Sequence, residues 1–465
     1  MRARAIPAVP RSPWAKWANL YITLCPAIML AYPMLVYPMM TSAFSAATGV
    51  STAAANVEAS ESNLINVLYF LGFGGLAVLT AMPRLANTNK ISWSLATGAI
   101  VLYLALALCS VTWALAPAIS FRRLVQQGLI VFTALFAGIA EPDPRKIVRR
   151  LADLMMIVVG INILWLGVKP PSPIGVEGIF PQKNLLGAAM LVCLPVLIFE
   201  AINTSFRRRL LCIVCVLCAL LLLVVSQSKT SLGIAFLVPT IAITAVVMGR
   251  ILRMTPSWPF FFLLLVGTAL SMLIGEIMGF SLDMLSMLLF NDTTFTGRTF
   301  IWDFVLSQAQ LRPTFGYGFN SFWAIGLNTP SLQSAPGFIV SLLQAHNGYI
   351  DIRAETGYVG LMLMVFIIIA AILQATRRGL CKDPTLMWMA LTLILTAVVH
   401  NGLESSFFRG FQLMWMSFLT AVGLTAPRYV MATIMPKVNA GRSKSVAVPV
   451  GRQWAAGHRA ARSSR

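Results

Sequence analysis

Residues 183–249 read KNLLGAAMLVCLPVLIFEAIN (183–203), TSFRRR (204–209), LLCIVCVLCALLLLVVS (210–226), QSK (227–229) and TSLGIAFLVPTIAITAVVMG (230–249). Three apolar runs, each near the roughly 20 residues that cross a bilayer as a helix, are separated by one basic cluster and one short polar break. A helix apolar on every face belongs to the inside of a large protein or to a membrane. Three in succession, with so little polar chain between them, point to a membrane.

Working outward, similar runs recur at 19–40, 63–82, 91–115, 124–140, 151–168, 258–280, 356–376, 385–403 and 411–428. The expectation is an all-α polytopic membrane protein of about twelve transmembrane helices. Composition agrees: 58% of the 465 residues are hydrophobic and 11% are charged, where a soluble domain carries roughly 25% charged residues. A net charge of +20 would suit a nucleic-acid binder only if the basic residues shared one polar surface. Here they stand in short clusters between apolar runs, the pattern that orients membrane helices, so nucleic acid is not an expected partner.

Counting Lys and Arg by side puts 26 of 35 on one face of the membrane: the N-terminal segment 1–18, the loops 83–90, 141–150, 204–209, 250–257 and 377–384, and the tail 429–465 with its preceding Arg428. By the positive-inside rule both termini are cytoplasmic. The transmembrane domain is 19–428, and the tail, basic and without apolar periodicity, reads as disordered and able to brush anionic lipid. One outer loop is long, 281–355, between the ninth and tenth helices. Within it TFIWDFVLSQAQ (299–310) reads as an amphipathic helix with Phe300, Phe304 and Ala309 opposite Asp303, Ser307 and Gln310, and FGYGFN (315–320) as a turn.

Nine cations fall on the outer side: Arg122, Arg123, Lys169, Lys183, Lys229, Arg298, Arg312, Arg353 and Arg409. A cation beside hydrocarbon is costly without a partner, so an array of them implies an anionic guest; the plain alternative is snorkelling to lipid headgroups. Cys212, Cys215 and Cys218 have metal-like spacing but lie on an apolar helix without His, Asp or Glu nearby, so they read as packing residues. The N-terminus shows no convincing signal-peptide cleavage site.

Four local patterns cluster at outer helix ends: FPQKNLLG (180–187), SQSKTSLG (226–233), TGRTFIW (296–302) and QAHNGYIDIRAETGYVG (344–360). With the helix number and the late outer loop, these resemble the O-antigen ligase and polymerase superfamily, and among it the exopolysaccharide repeat-unit polymerases of the succinoglycan type. The resemblance implies a bacterial inner-membrane glycosyltransferase with a periplasmic site. Its implied partners are an undecaprenyl-diphosphate-linked oligosaccharide, a glycan acceptor, membrane lipid, and a chain-length regulator and flippase of the same pathway. No cofactor or metal is expected; Glu58 and Glu61 form the close acidic pair of the first outer loop and read as solvated.

Such chemistry asks for fixed cations on the diphosphate, whose negative charge grows as the anomeric bond breaks. Arg298, Lys229 and Lys183 are the first candidates, followed by Arg353, Arg122 and Arg123. It also asks for a base near the acceptor hydroxyl. An imidazole of ordinary acidity is largely neutral at pH 7, as a base must be, which singles out His346. Glu355 and Glu404 are alternative acid–base groups, with helix-start capping the structural alternative for Glu355. Glu404 also reads as a partner for a cation such as Arg409. Asn347, Tyr349 and His400 are candidate acceptor contacts, the last in a second HNG (400–402). Glu276, inside the span 258–280, reads as functional by its depth. Polymerisation of lipid-linked repeat units is favoured; the alternatives are an O-antigen ligase acting on lipid A–core and, from another class, a flippase or transporter of lipid-linked oligosaccharide.

Overall fold

Every one of the twelve apolar runs is helical in a computed structural model that describes residues 13–41, 64–87, 94–168, 175–279, 287, 297–323, 328–380 and 382–427. The order is α1 (Pro13–Thr41), α2 (64–87), α3 (Leu95–Ser110), α4 (Pro117–Ala140), α5 (Pro144–Trp165), α6 (Lys183–Asn203), α7 (Phe206–Val225), α8 (Lys229–Ile251) and α9 (Ser257–Met278), then the loop helix α10 (Arg298–Leu311), and finally α11 (Gly348–Ala375), α12 (Pro384–His400) and α13 (Leu413–Thr425). Eight of these, α1, α2, α4, α6, α7, α8, α9 and α11, are long and apolar enough to cross a membrane. Helices α3, α12 and α13 are apolar but shorter. Helix α5 carries Arg145, Lys146, Arg149 and Arg150 in its first half, which the sequence places in a loop, and Asp153 just after them. The segment 1–12, Glu58, Glu61, Lys169 and the tail from 428 lie outside the described residues.

Helix starts follow local chemistry. Proline stands at the first helical position of α4, α5 and α12, where its missing N–H costs nothing. Ser94, Asp143, Asn347 and Asp383 cap α3, α5, α11 and α12 by accepting from backbone N–H groups.

Helix α6 lies at the centre with nearly its whole length buried, whereas α9 is peripheral and almost wholly exposed. Glu276 is exposed in the last turn of α9, so it is a helix-end acid and not one at depth. Gly138 of α4 packs on the backbone of Gly423 of α13; a Cβ on Gly138 would lie 3.2 Å from Gly423 Cα, a crossing that small residues permit. Helices α6 and α8 touch at their starts, where a Cβ on Gly187 would come within 2.5 Å of Ser231 Oγ. Helix α12 runs antiparallel to α8: Pro384 faces Gly249, and further along Trp388 Nε1 donates to Pro239 O (3.2 Å). Lys183, Lys229 and His400 therefore share one end of the bundle.

That end is closed by residues 313–323, which fill a break in α11. Gly357 takes a non-helical conformation (φ 67°, ψ −163°), so Tyr358 and Val359 cannot donate to the carbonyls one turn back. They donate instead to Pro313 O and Thr314 O (2.8 and 3.2 Å), while Tyr317 N and Gly318 N take the freed carbonyls of Ala354 and Glu355 (2.9 and 2.8 Å). All four groups are thereby satisfied, as irregular backbone at membrane depth requires. Gly357 admits no side chain, since a Cβ would meet Thr314 O at 2.2 Å.

Candidate functional site

Glu404, in the connection between α12 and α13, holds two residues far from it in sequence. Its Oε1 accepts from an Arg298 terminal nitrogen at 2.8 Å, and its Oε2 lies 2.9 Å from His346 Nδ1. Arg298 is the first residue of α10, placed there by Gly297 in the left-handed region (φ 81°). His346 precedes the cap of α11 and is itself left-handed (φ 52°), a conformation that an L-residue keeps only when its surroundings impose it. The three side chains are 17%, 29% and 23% exposed for Arg298, His346 and Glu404: sheltered, yet open to a guest. Burial alone would raise the Glu404 carboxyl's pKa. The hydrogen bond to His346 and the neighbouring positive charge of Arg298 more than reverse this, so the group stays ionised below the usual carboxylate range.

The two HNG sequences interlock beneath this trio. Gly348 N donates to Asn401 O (2.8 Å) and to Glu404 O (3.2 Å), and Asn347 donates from its side chain to Gly402 O (3.2 Å). Asn401 Oδ1 accepts from Ser406 N and Phe407 N. Gly348 must be glycine, for a Cβ would lie 2.2 Å from Asn401 Oδ1. Asn347 Oδ1 caps α11, and Tyr349 donates its hydroxyl to Val398 O (2.8 Å). The imidazole of His400 is within electrostatic range of Glu404 and Arg298, and its Nδ1 is buried without a hydrogen bond.

A second charged group lies beside the first. Arg409 makes an ion pair with Asp351 (2.8 Å), reaches Glu355 at 3.7 Å, and donates to Leu343 O at 2.6 Å. Asp351 also accepts from Trp323 Nε1 (2.7 Å) and Ala345 N (3.2 Å). Trp302, one turn beyond Arg298, donates to Ala345 O at 3.0 Å. The strand of chain entering His346 is thus gripped at Leu343 and at both backbone groups of Ala345. Glu355 is buried, with Oε2 accepting from Asn320 N (3.2 Å), and Arg123 donates to Asn320 O (3.0 Å).

The structure therefore brings together Arg298, His346, Glu404 and His400, and next to them Glu355 with Arg123. Lys183 and Lys229 begin α6 and α8 at the same end. Arg353 turns elsewhere, its guanidinium stacked 4.6 Å over the Tyr358 ring; Arg122 is exposed. Three expectations need correction. The cation held by Glu404 is Arg298, because the Gly348 N–H fixes the Glu404 backbone toward α11, while Arg409 goes to Asp351 and Glu355. Glu355 does not cap the segment that restarts after Gly357: the Tyr358 and Val359 N–H groups go to Pro313 O and Thr314 O, and the Glu355 carboxylate accepts from Asn320 N. In α10, Phe304 and Ala309 are buried as expected, but Phe300 is 58% exposed. Sequence reading overlooked Asp351, Asn320 and Trp323, and took Trp302 only as part of the TGRTFIW motif. The spacing of Asp351 and Glu355, four apart on one helix face, was the available signal for the first.

Residues 213–365 match the O-antigen ligase family model. The chain is also similar to the exopolysaccharide production protein ExoQ of Rhizobium meliloti (strain 1021), with 27% identity over 144 residues. That alignment takes in 30% of this chain and spans about a third of its relative, 32%. These similarities bear out the resemblance to the ligase and polymerase superfamily. The family match includes Lys229, Arg298, His346 and Glu355; Glu404 and Arg409 lie beyond it.

Proposed function

We propose that this protein is a membrane glycosyltransferase that joins lipid-diphosphate-linked glycan repeat units, with its site at the periplasmic face of a bacterial inner membrane. The observation that carries the reading is the Glu404 carboxylate shared between Arg298 and His346. Placed against Nδ1, the carboxylate favours the tautomer with its proton on that nitrogen, an assignment made from hydrogen bonding. That leaves the Nε2 lone pair as the base for an acceptor hydroxyl. The Arg298 guanidinium keeps donors free of Glu404 for a phosphate oxygen, and its fork suits that geometry. Lys229 and Lys183, at the same end, supply further positive charge for the leaving diphosphate.

In the reaction, His346 removes the proton from the acceptor hydroxyl as its oxygen attacks the anomeric carbon of the donor. The bond from that carbon to the diphosphate oxygen breaks, and the electron pair leaves on the lipid diphosphate, beside the cations. Twelve membrane crossings with both termini cytoplasmic would put the trio and α10 outside, as this reading requires. The similarity to an exopolysaccharide production protein favours polymerase; the ligase family match supports the same donor chemistry with another acceptor.

The test is a strain lacking the protein, from which lipid-linked glycans and lipopolysaccharide are extracted together. Single repeat units accumulating on the lipid carrier, with secreted polymer lost and lipopolysaccharide intact, are expected. Long polymer stranded on the carrier with bare lipid A–core would make it a ligase. Unchanged glycan pools would sink the proposal.

A further inference from the structure

At the opposite end of the bundle from Glu404, three arginines from two distant parts of the chain line one cleft of about 260 Å³. Arg250 ends α8, Arg253 follows it in the left-handed region (φ 55°), and Arg378 stands just after α11. The remaining walls are Val246, Gly249, Met254, Pro256, Pro384 and Met387. The floor is tight, since a Cβ on Gly249 would come within 2.9 Å of Pro256.

Among the described residues, no ion pair joins any of the three arginines to a carboxylate. Asp383, next in sequence to the lining Pro384, is turned to Arg145, which donates to it at 2.7 and 3.2 Å. Capping the α8 carbonyl end accounts for cations on that helix but not for Arg378, which comes from another element. The tail 428–465 contains eight Lys and Arg and no Asp or Glu, so its side chains are the wrong charge to fill the cleft.

We propose that this cleft binds the phosphate headgroup of an anionic phospholipid, with the acyl chains running down the apolar wall of Val246, Met254 and Met387. The choice of lipid over a free anion rests on that wall. It rests also on position, because the cleft lies at the helix ends where headgroups stand. Arginine at all three positions fits bidentate contact with phosphate oxygens. The volume falls just below the ~300–1,000 Å³ of small-molecule pockets, which suits a headgroup and not a whole lipid. The proposal does not depend on the glycosyltransferase reading.

The experiment titrates the detergent-purified full chain with phosphatidylglycerol, phosphatidylcholine or inorganic phosphate and follows the melting temperature. Three proteins are compared: wild type, R250Q/R253Q/R378Q, and R149Q/R207Q/K382Q, which removes equal charge from the same end. Phosphatidylglycerol should stabilise wild type and the charge-matched control alike. The triple arginine variant should need on the order of 100-fold more lipid, about fivefold per arginine, and phosphatidylcholine should do nothing. If the triple variant does not fold, Arg378→Gln alone should show the fivefold shift. Equal losses in the control would reduce the effect to bulk charge and overturn the site. A titration unchanged by the arginine substitutions overturns it too. Inorganic phosphate acting at the same concentration as lipid would overturn the lipid assignment.

Discussion

At one end of the bundle Arg208 meets Glu200 at 2.6 Å and Asp153 at 2.7 Å, Arg145 meets Asp383 at 2.7 Å, and Lys146 meets Glu141 at 3.3 Å. At the other, Arg298 meets Glu404 and Arg409 meets Asp351 at 2.8 Å each. The residue types and distances are alike, but the surroundings differ. Among the described residues, Arg353, Glu355 and His400 each have a buried polar atom lacking a hydrogen bond, and all three are at the Glu404 end. Of the five left-handed non-glycine residues among those described, four, Gln227, Asn320, His346 and Phe408, are there as well, Arg253 being the exception. At the first end these paired charges are consumed in closing the structure, the three arginines of the cleft apart. The other holds them with bonding capacity left over and with local strain, the signature of a site that meets a guest.

The sharpest way to break this comparison is to remove the outward-facing members. His346→Ala should lower polymer formation by on the order of 10³-fold, within the range of a general base, at unchanged protein level. Arg298→Ala should do the same through the diphosphate, and Arg298→Lys should recover only part of the loss because the fork is gone. Full-length polymer from both alanine variants would remove the trio from the chemistry. Glu404→Gln keeps the shape and loses the charge, and should cost on the order of 10²-fold in turnover.

The next effect concerns support. Asp351→Asn should loosen the chain entering His346 and lower kcat on the order of tenfold with little change in KM, while Arg409→Ala leaves Asp351 and Glu355 without their cation and should destabilise the fold by about 3–5 kcal/mol. Measuring turnover per folded molecule in detergent separates the two. An Asp351→Asn enzyme with normal kcat would show that the grip on Ala345 is not needed. At the other end, Arg208→Ala should cost on the order of 3 kcal/mol in stability but leave turnover per folded molecule unchanged. A loss of turnover there would erase the distinction between the ends.

How much of this was legible differs by level. The helices were, because about 20 apolar residues without periodicity have few other destinations. Their ends were less so. The expected start at 356 falls at the Gly357 break, and the helical segment before it, from Gly348, was missed because GYIDIRAE is polar. Its polarity is accommodated by Arg409, Trp323 and the 313–318 segment, and polarity marks distance from lipid, not the end of a helix. Site residues were readable one at a time, since a cation or imidazole at an outer helix end stands out against hydrocarbon. Their partnerships were not. Arg409 lies five residues from Glu404 and looked like its mate, yet the interlocked HNG turns aim Glu404 at residues 58 and 106 positions away. Chain proximity says nothing about that. Asp351 was passed over for a related reason: its three partners are Trp323, Ala345 and Arg409, which only the folded chain assembles.

The smallest expected effect is with pH. The folded-state pKa of Glu404 lies below its unfolded value, which is near 4.3 for an ordinary glutamate. The stabilisation it draws from Arg298 and His346 is therefore fully present above that unfolded value and is lost as pH falls through the folded one. Between about pH 5 and 8, then, the carboxylate should not titrate. Wild type should melt above Glu404→Gln across this range. As the pH falls from about 4.3 through the lower folded value the gap should close, since wild type then loses the same charge that the variant lacks. Ion pairs at the Asp383 end supply the control. The Asp383 carboxyl is pushed up by burial but brought below its usual range by Arg145 and by the helix-capping hydrogen bonds, so Asp383→Asn should show the same closure at low pH. What distinguishes the ends is activity in the neutral range, which Glu404→Gln lowers and Asp383→Asn leaves intact. A Glu404→Gln gap that does not narrow as the pH falls below about 4.3 would mean that the pair contributes through shape and not through charge.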